Sequence, residues 1–301
     1  MADPLTQIIG LLRPSAAFSK LVTASGCWSV RPPGAGPFYA AVLEGGCELS
    51  ITGRTPVKLG GGDFILIPAD TGFTVTSLAP PRGGRVTEPN EIYPGVFHVG
   101  ELAEPDVRML VGYCAFESND AALLVSLLPE VAVVRGDERL TTLVKLLNGE
   151  AHAGRPGREV VLARLLEVLL IEAFRAAAEP AAAPGLLRGL ADDRLATALR
   201  RMHVEPARPW TVAELAKEAA MSRSTFFDRF RREVGIAPME YLLGWRMAIA
   251  KDLLRGKGIS VGEAAQRVGY SSSSTFSVAF TRQVGSSPIA YARTGPAPKR
   301  T

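Results

Sequence analysis

Residues 269–291 read GYSSSSTFSVAFTRQVGSSPIAY, and an earlier stretch of the chain is their near copy. Ser224, Thr225, Phe226, Phe230, Arg232, Val234, Gly235, Pro238 and Tyr241 recur 50 residues later as Ser274, Thr275, Phe276, Phe280, Arg282, Val284, Gly285, Pro288 and Tyr291. Upstream, Thr211-Val-Ala-Glu-Leu-Ala recurs as Ser260-Val-Gly-Glu-Ala-Ala at an offset of 49, so one extra residue enters the turn of the second copy. A run of this kind is an internal repeat of one supersecondary unit.

Each copy carries its own helix punctuation. Thr211 with Glu214, and Ser260 with Glu263, have capping-box spacing. Trp210 can staple onto Leu215, and Ile259 and Ala264 are the weaker counterparts. About two helical turns follow, then a break at Ala220-Met221 or Gly269-Tyr270. A second helix starts from Ser222 or from about Ser272. Gly235 and Gly285 stop those helices, and Pro238 and Pro288 start new ones. Two short helices around a tight turn, the second capped and polar on one face, form the helix-turn-helix pattern.

Phe226 with Phe230, and Phe276 with Phe280, stand at i and i+4 and are assigned to the core. The remaining faces carry Ser224, Thr225, Phe227, Asp228 and Arg231 in the first unit, and Ser273, Ser274, Ser277, Val278 and Thr281 in the second. Arg223, Arg229, Arg231 and Arg232 surround the first face. Cations beside capped N-terminal amides suit phosphate contacts, and the hydroxyls of Ser271 to Ser274 are short enough to approach base edges or phosphates. Between the units, residues 238–255 place Leu242, Trp245, Ala248 and Ile249 on one face of a helix about 27 Å long. Such a rod is compatible with two recognition helices set about one DNA turn, ~34 Å, apart.

Charge divides the same way. The 301 residues have a formal net charge of +4, yet residues 191–301 hold 18 Lys+Arg against 10 Asp+Glu, a net of +8. Residues 1–190 hold 16 against 20, a net of −4. Only the last third is suited to a polyanion.

Before the repeat, β-rich runs alternate with Gly/Pro turns at residues 39–43, 48–52, 64–68, 73–77 and 109–116, the spacing of a sandwich or small barrel. Helical patterns follow at 140–152 and 159–177. The second has a wider apolar surface than a barrel requires, which suits either core packing or a dimer-forming helix pair. The tract AAAEPAAAPG at 176–185 reads as a linker. These signals divide the chain into a first domain at 1–178 (barrel about 1–130, helices about 137–178), a linker at 179–190, and a helical domain at 191–301 with repeat units at about 211–235 and 260–285.

Two helix-turn-helix units joined by a long helix and ending in Val284-Gly-Ser-Ser-Pro-Ile-Ala-Tyr291 resemble the AraC/XylS family of bacterial transcription regulators. The resemblance covers about Leu195 to Arg293. Gly61-Gly62-Asp63-Phe64-Ile65-Leu66-Ile67-Pro68 resembles the turn and strand of a cupin, the sensor domain of one branch of that family. The resemblance implies a jelly-roll sensor, dimerisation helices and an all-α DNA-binding domain. It also implies promoter DNA and a small-molecule effector as partners, a homodimer, and RNA polymerase if the protein activates. Family recognition positions fall on Ser224, Phe227 and Asp228, and on Ser273, Ser274 and Val278. The expected DNA-binding set is Arg223, Ser224, Thr225, Phe227, Asp228, Arg229, Arg231, Ser272, Ser273, Ser274, Ser277, Val278 and Thr281. Asp228 and Val278 depart from the arginine or glutamine of relatives; Asp accepts from a cytosine amine and Val touches a thymine methyl.

Enzymatic cupins ligate metal through histidines. None precedes Glu44 here, Phe73 stands where the later one belongs, and the chain holds only His98, His152 and His203. The expectation is a metal-free, cofactor-free, non-enzymatic sensor with Trp28, Phe38, Phe64 and Phe73 as candidate pocket residues. Two alternatives stay open: a thiol sensor through Cys27, Cys47 or Cys114, and a catalytic cupin fused to the DNA-binding units. The three cysteines lack metal spacing and suit a reducing cytoplasm. The start of the chain lacks a signal-peptide pattern. Charges at Arg164, Glu167 and Glu172 interrupt the most apolar stretch, so no membrane span is expected.

Overall fold

The computed structural model describes residues 3–32, 36–69, 71–81, 85–101, 103–116, 121–125, 128–177, 185–255 and 259–293. They fall into two compact units.

The first unit comprises residues 13–117 and 130–177. Its strands are β1 Pro14–Ser25, β2 Ser29–Val30, β3 Phe38–Glu44, β4 Gly46–Ile51, β5 Val57–Gly60, β6 Phe64–Ile67, β7 Phe73–Ser77, β8 Asn90–Tyr93, β9 Val96–Gly100, β10 Val107–Phe116 and β11 Ala132–Val134. A seven-stranded sheet has the order β11-β6-β3-β10-β1-β9-β8, and a four-stranded sheet the order β2-β7-β4-β5. Pairing is antiparallel except where β1 meets β9.

The pleat sends alternate side chains to opposite faces. Val22, Phe38, Ala40, Ile65, Ile67, Met109 and Val111 join Leu49, Leu59 and Trp28 in one apolar cluster. Tyr39, Ala41, Phe64 and Leu66, the alternating partners, are equally buried on the face that α3 Glu138–His152 and α4 Arg158–Ala176 cover. Asp63 holds the turn before β6 by accepting from the Gly60 N–H at 2.8 Å and the Gly136 N–H at 3.3 Å, and it pairs with Arg135. The five expected strands and both expected helices are present. The longest strand, β1, escaped notice because PSAAFSKLVTAS is alanine- and serine-rich and lacks strong alternation.

The second unit is helical. It holds α1 Pro4–Leu12, α2 Ala121–Val125, α5 Leu186–Ala191, α6 Asp193–Val204, α7 Val212–Glu218, α8 Arg223–Val234, α9 Pro238–Arg255, α10 Val261–Arg267, α11 Ser273–Val284 and α12 Pro288–Arg293. It therefore differs from the expected 1–178 and 191–301 domains in three segments. Helix α1 docks on α6 with Leu5, Ile8, Ile9 and Leu12 buried at helical spacing, and α2 belongs here too. Of the expected linker, residues 179–184 lie outside the described residues. The rest contributes α5, which is tied to α8 by the Gly185 N–H donating to Glu233 O at 2.9 Å and by the Arg188–Glu233 pair at 2.5 Å.

The repeat is visible in the packing. Phe226 and Phe230 lie 5.6 Å apart, with Tyr241 at 5.9 Å from Phe230; Phe276 and Phe280 lie 5.4 Å apart, with Tyr291 at 5.5 Å from Phe280. All four phenylalanines are fully buried. The capping box at Thr211 and Glu214 is complete. At the second copy the Ser260 hydroxyl accepts from the Glu263 N–H at 3.1 Å, while the Glu263 carboxylate pairs with Arg267. The turn needs a left-handed residue: Gly269 has φ +87, and a Cβ there would meet Ala207 O at 2.4 Å. The first copy places Ala220 in that region at φ 50.

Candidate nucleic-acid interface and barrel cavity

Helices α8 and α11 present the expected faces. Ser222 caps α8 and Ser272 caps α11, each hydroxyl accepting backbone N–H groups of its first turn. The hydroxyls of Ser224 and Thr225 lie 3.2 and 2.8 Å from the Ser222 hydroxyl, and that of Ser274 lies 2.6 Å from the Ser272 hydroxyl. These residues form a hydroxyl cluster at each helix start. Arg223, Ser224, Thr225, Asp228 and Arg231 are exposed on α8, and Phe227 is half-buried. On α11, Ser273, Ser274, Val278 and Thr281 are exposed. Val278 is 71% exposed, an outward apolar side chain on an otherwise polar face.

Three expected members are less free than their sequence context suggested. Arg229 is held by Asp192, its Nε 2.5 Å from Oδ2, so it braces α8 against the start of α6. Ser277 is half-buried and donates to Ser273 O at 2.7 Å. Ser272 is spent as a cap.

Arg282 was missed. Its repeat mate Arg232 is paired with Glu233 at 2.8 Å, but Gln283 stands at the corresponding position of the second unit. Among the described residues no acid pairs with Arg282; with Ser274, Val278 and Tyr270 it lines an open groove along α11. The signal was the change from Arg-Glu to Arg-Gln between the copies.

In the β unit a cavity of about 110 Å³ opens between the two sheets. Trp28 and Phe38 line it. Phe73 lies in the same core with its ring 4.8 Å from that of Phe38, behind the cavity wall. Phe64 is corrected: it alternates with Ile65 and faces the helices. The histidines are engaged elsewhere. His98 contacts the Thr23 hydroxyl at 2.9 Å and Glu101 O at 2.7 Å, His152 contacts Asn148 O at 2.8 Å, and His203 lies in the helical core. Among the described residues, no group of three His, Cys, Asp or Glu side chains is placed to hold a metal. Cys47 and Cys114 are buried, and burial pushes both thiols up to about 12; Cys27 is exposed.

One unit with two capped helix-turn-helix motifs, and another built as a two-sheet barrel, define the class of a helix-turn-helix DNA-binding regulator. Comparison with known proteins agrees. A family profile described as Cupin matches residues 3–179, and one described as Helix-turn-helix domain matches residues 215–294. A putative AraC-like transcription regulator of Streptomyces lividans is 35% identical, with 96% of this chain and 97% of that protein covered. The HTH-type transcriptional regulator AlkR of Acinetobacter baylyi is 27% identical over 83% of this chain and 85% of its own. Among solved structures, the DNA-binding domain of AdpA in complex with a target DNA is 38% identical, covering 32% of this chain and 87% of that one, with a TM-score of 0.31. The chain belongs to the AraC-like family of transcription regulators. Among the described residues, no helix is long and apolar enough to cross a membrane.

Proposed function

We propose that this regulator binds a specific promoter sequence through α8 and α11 as a homodimer, under control of a small organic effector held in the barrel without metal. The observation that carries the DNA-binding geometry is the pair of capped helices with complementary outward chemistry. Arg223 and Arg231 on α8 and Arg282 on α11 are exposed cations for phosphates. Asp228, Ser273, Ser274 and Val278 are small enough to reach base edges. The apolar inner face of the barrel supports an organic effector. The protein acts in the cytoplasm and, where it activates, contacts RNA polymerase.

Dimerisation is assigned to α4. Val161 and Val168 are 43% and 41% exposed, and half-buried Leu165 lies between them, giving an i, i+4, i+7 stripe on the side away from the sheet. Val160 at 66% widens it. The thiol alternative rests on Cys27, because the other two thiols are buried and held protonated.

The test is binding of the full chain to its own upstream region against scrambled DNA over a salt series. Specific binding is typically at least a thousandfold tighter than non-specific binding, on the order of 10³–10⁷. Equal affinity for both DNAs, with only the salt slope remaining, overturns the reading.

A further inference from the structure

The barrel cavity is more particular than a general apolar hole. Its walls include Val22, Phe38, Leu49, Ile65, Met109 and Val111. Trp28 also lines it; it is 1% exposed, and among the described residues its indole Nε1 has no hydrogen-bond partner. The backbone that carries it is firmly placed. The Trp28 N–H donates to the Ser77 hydroxyl at 3.1 Å, and Trp28 O accepts from the Ser77 N–H at 3.0 Å. An indole nitrogen is a donor only, so it is satisfied by an acceptor and by nothing else. Trp210 in the same chain meets that demand by donating to Glu205 O at 2.9 Å. Trp245 also lacks an acceptor among the described residues, but it is stacked on His203 at 4.1 Å within the helical core.

Size sets a second limit. An apolar cavity of roughly 150 Å³ takes benzene, so about 110 Å³ holds at most about one six-membered ring, and a ligand of that size extends its substituent out through the mouth. The charged side chains on the lining are Lys20, Arg31 and Glu88. Lys20 sits on the inward face of β1, with Nζ 4.3 Å from the centre of the Phe97 ring. The cations outnumber the acid, so the lining tolerates a neutral or an anionic oxygen and disfavours a cationic ligand.

We propose that this cavity binds a small, compact apolar molecule bearing one hydrogen-bond-accepting oxygen, and that Trp28 Nε1 donates to that oxygen. The proposal deepens the effector reading above and rests on it. Three probes of similar shape test it on the full chain by titration calorimetry: cyclohexanone, cyclohexanecarboxylate and methylcyclohexane. At least one oxygen-bearing probe should bind about tenfold or more tightly than the hydrocarbon, the gain of one well-made hydrogen bond. The better of the two identifies a neutral or an ionised oxygen. In Trp28→Phe that advantage should vanish while hydrocarbon binding persists. Ala40→Leu, which fills the cavity and leaves Trp28 in place, should block all three. A thermal melt of each variant reports that it is folded. Equal binding of oxygen and hydrocarbon probes, an oxygen advantage retained in folded Trp28→Phe, or no binding of any probe overturns the proposal. Promoter binding by the same preparations separates the two readings: lost probe binding with specific DNA binding intact condemns only the ligand, and absent specific DNA binding condemns the regulator reading.

Discussion

His203 should make the helical unit sensitive to mild acid. It is 3% exposed, its Nε2 lies 2.7 Å from the Tyr241 hydroxyl, its Nδ1 lies 2.8 Å from Gln7 Oε1, and its ring stacks on Trp245. Burial lowers its pKa from 6.5 to about 3, a shift that nearby Asp3 only partly opposes. The neutral imidazole is the folded form, so the unfolded chain takes up a proton first. Stability is therefore full well above pH 6.5 and falls as pH drops, levelling only near pH 3. From pH 7 to pH 5 the linkage amounts to about 2 kcal/mol. The carboxylates whose pKa values are lowered, Glu214 and Glu233, titrate below this window, since their ordinary value is 4.5. Hydrogen exchange of α6 and α9 amides, corrected for intrinsic rate, should show opening about thirtyfold easier at pH 5 than at pH 7. In His203→Gln the unit should be less stable at pH 7 and nearly flat across the same range. A parallel fall in wild type and variant, or no fall in either, refutes the assignment.

Further outcomes follow from the same geometry. Arg282→Ala should weaken binding to all DNA sequences and lower the salt slope by about one, whereas Arg229→Ala should leave the slope unchanged and lower thermal stability, because that side chain pairs with Asp192. The two repeat turns should respond unequally. Gly269→Ala should destabilise by more than about 2 kcal/mol, through left-handed strain and the clash with Ala207 O. Ala220→Gly should change stability by no more than about 1 kcal/mol, relief of strain being partly offset by glycine entropy; unfolding in urea reads both. Val161→Glu with Val168→Glu should leave the fold intact and shift sedimentation from dimer to monomer at micromolar concentration, and an unchanged dimer would remove α4 from the interface.

How much of this was legible in the sequence varied with how locally each feature is encoded. Caps, glycine stops and prolines are read by their own neighbours, so α8, α9 and α11 came out with bounds close to those observed. The repeat doubled that information. What failed depended on partners distant in the chain. Helix α1 is a short apolar peptide whose place against α6 is set by packing that begins some 180 residues later. Arg229 looked like a phosphate ligand because Asp192, its partner, lies 37 residues away. Phe64 and Ile65 are both apolar, so the sequence could not tell which faces the cavity; register against β3 decided it. Alternation is silent wherever both faces of a strand are buried.

The central claim is that both recognition helices read one DNA sequence together. Hydroxyl-radical footprinting of the full chain on its selected site tests it most directly, with wild type beside Asp228→Ala and Val278→Ala. Two protected patches about one helical turn apart on one face of the duplex are expected, with base preference relaxed in one patch by the first variant and in the other by the second. A single patch, or two patches whose sequence preference neither variant alters, would contradict the claim.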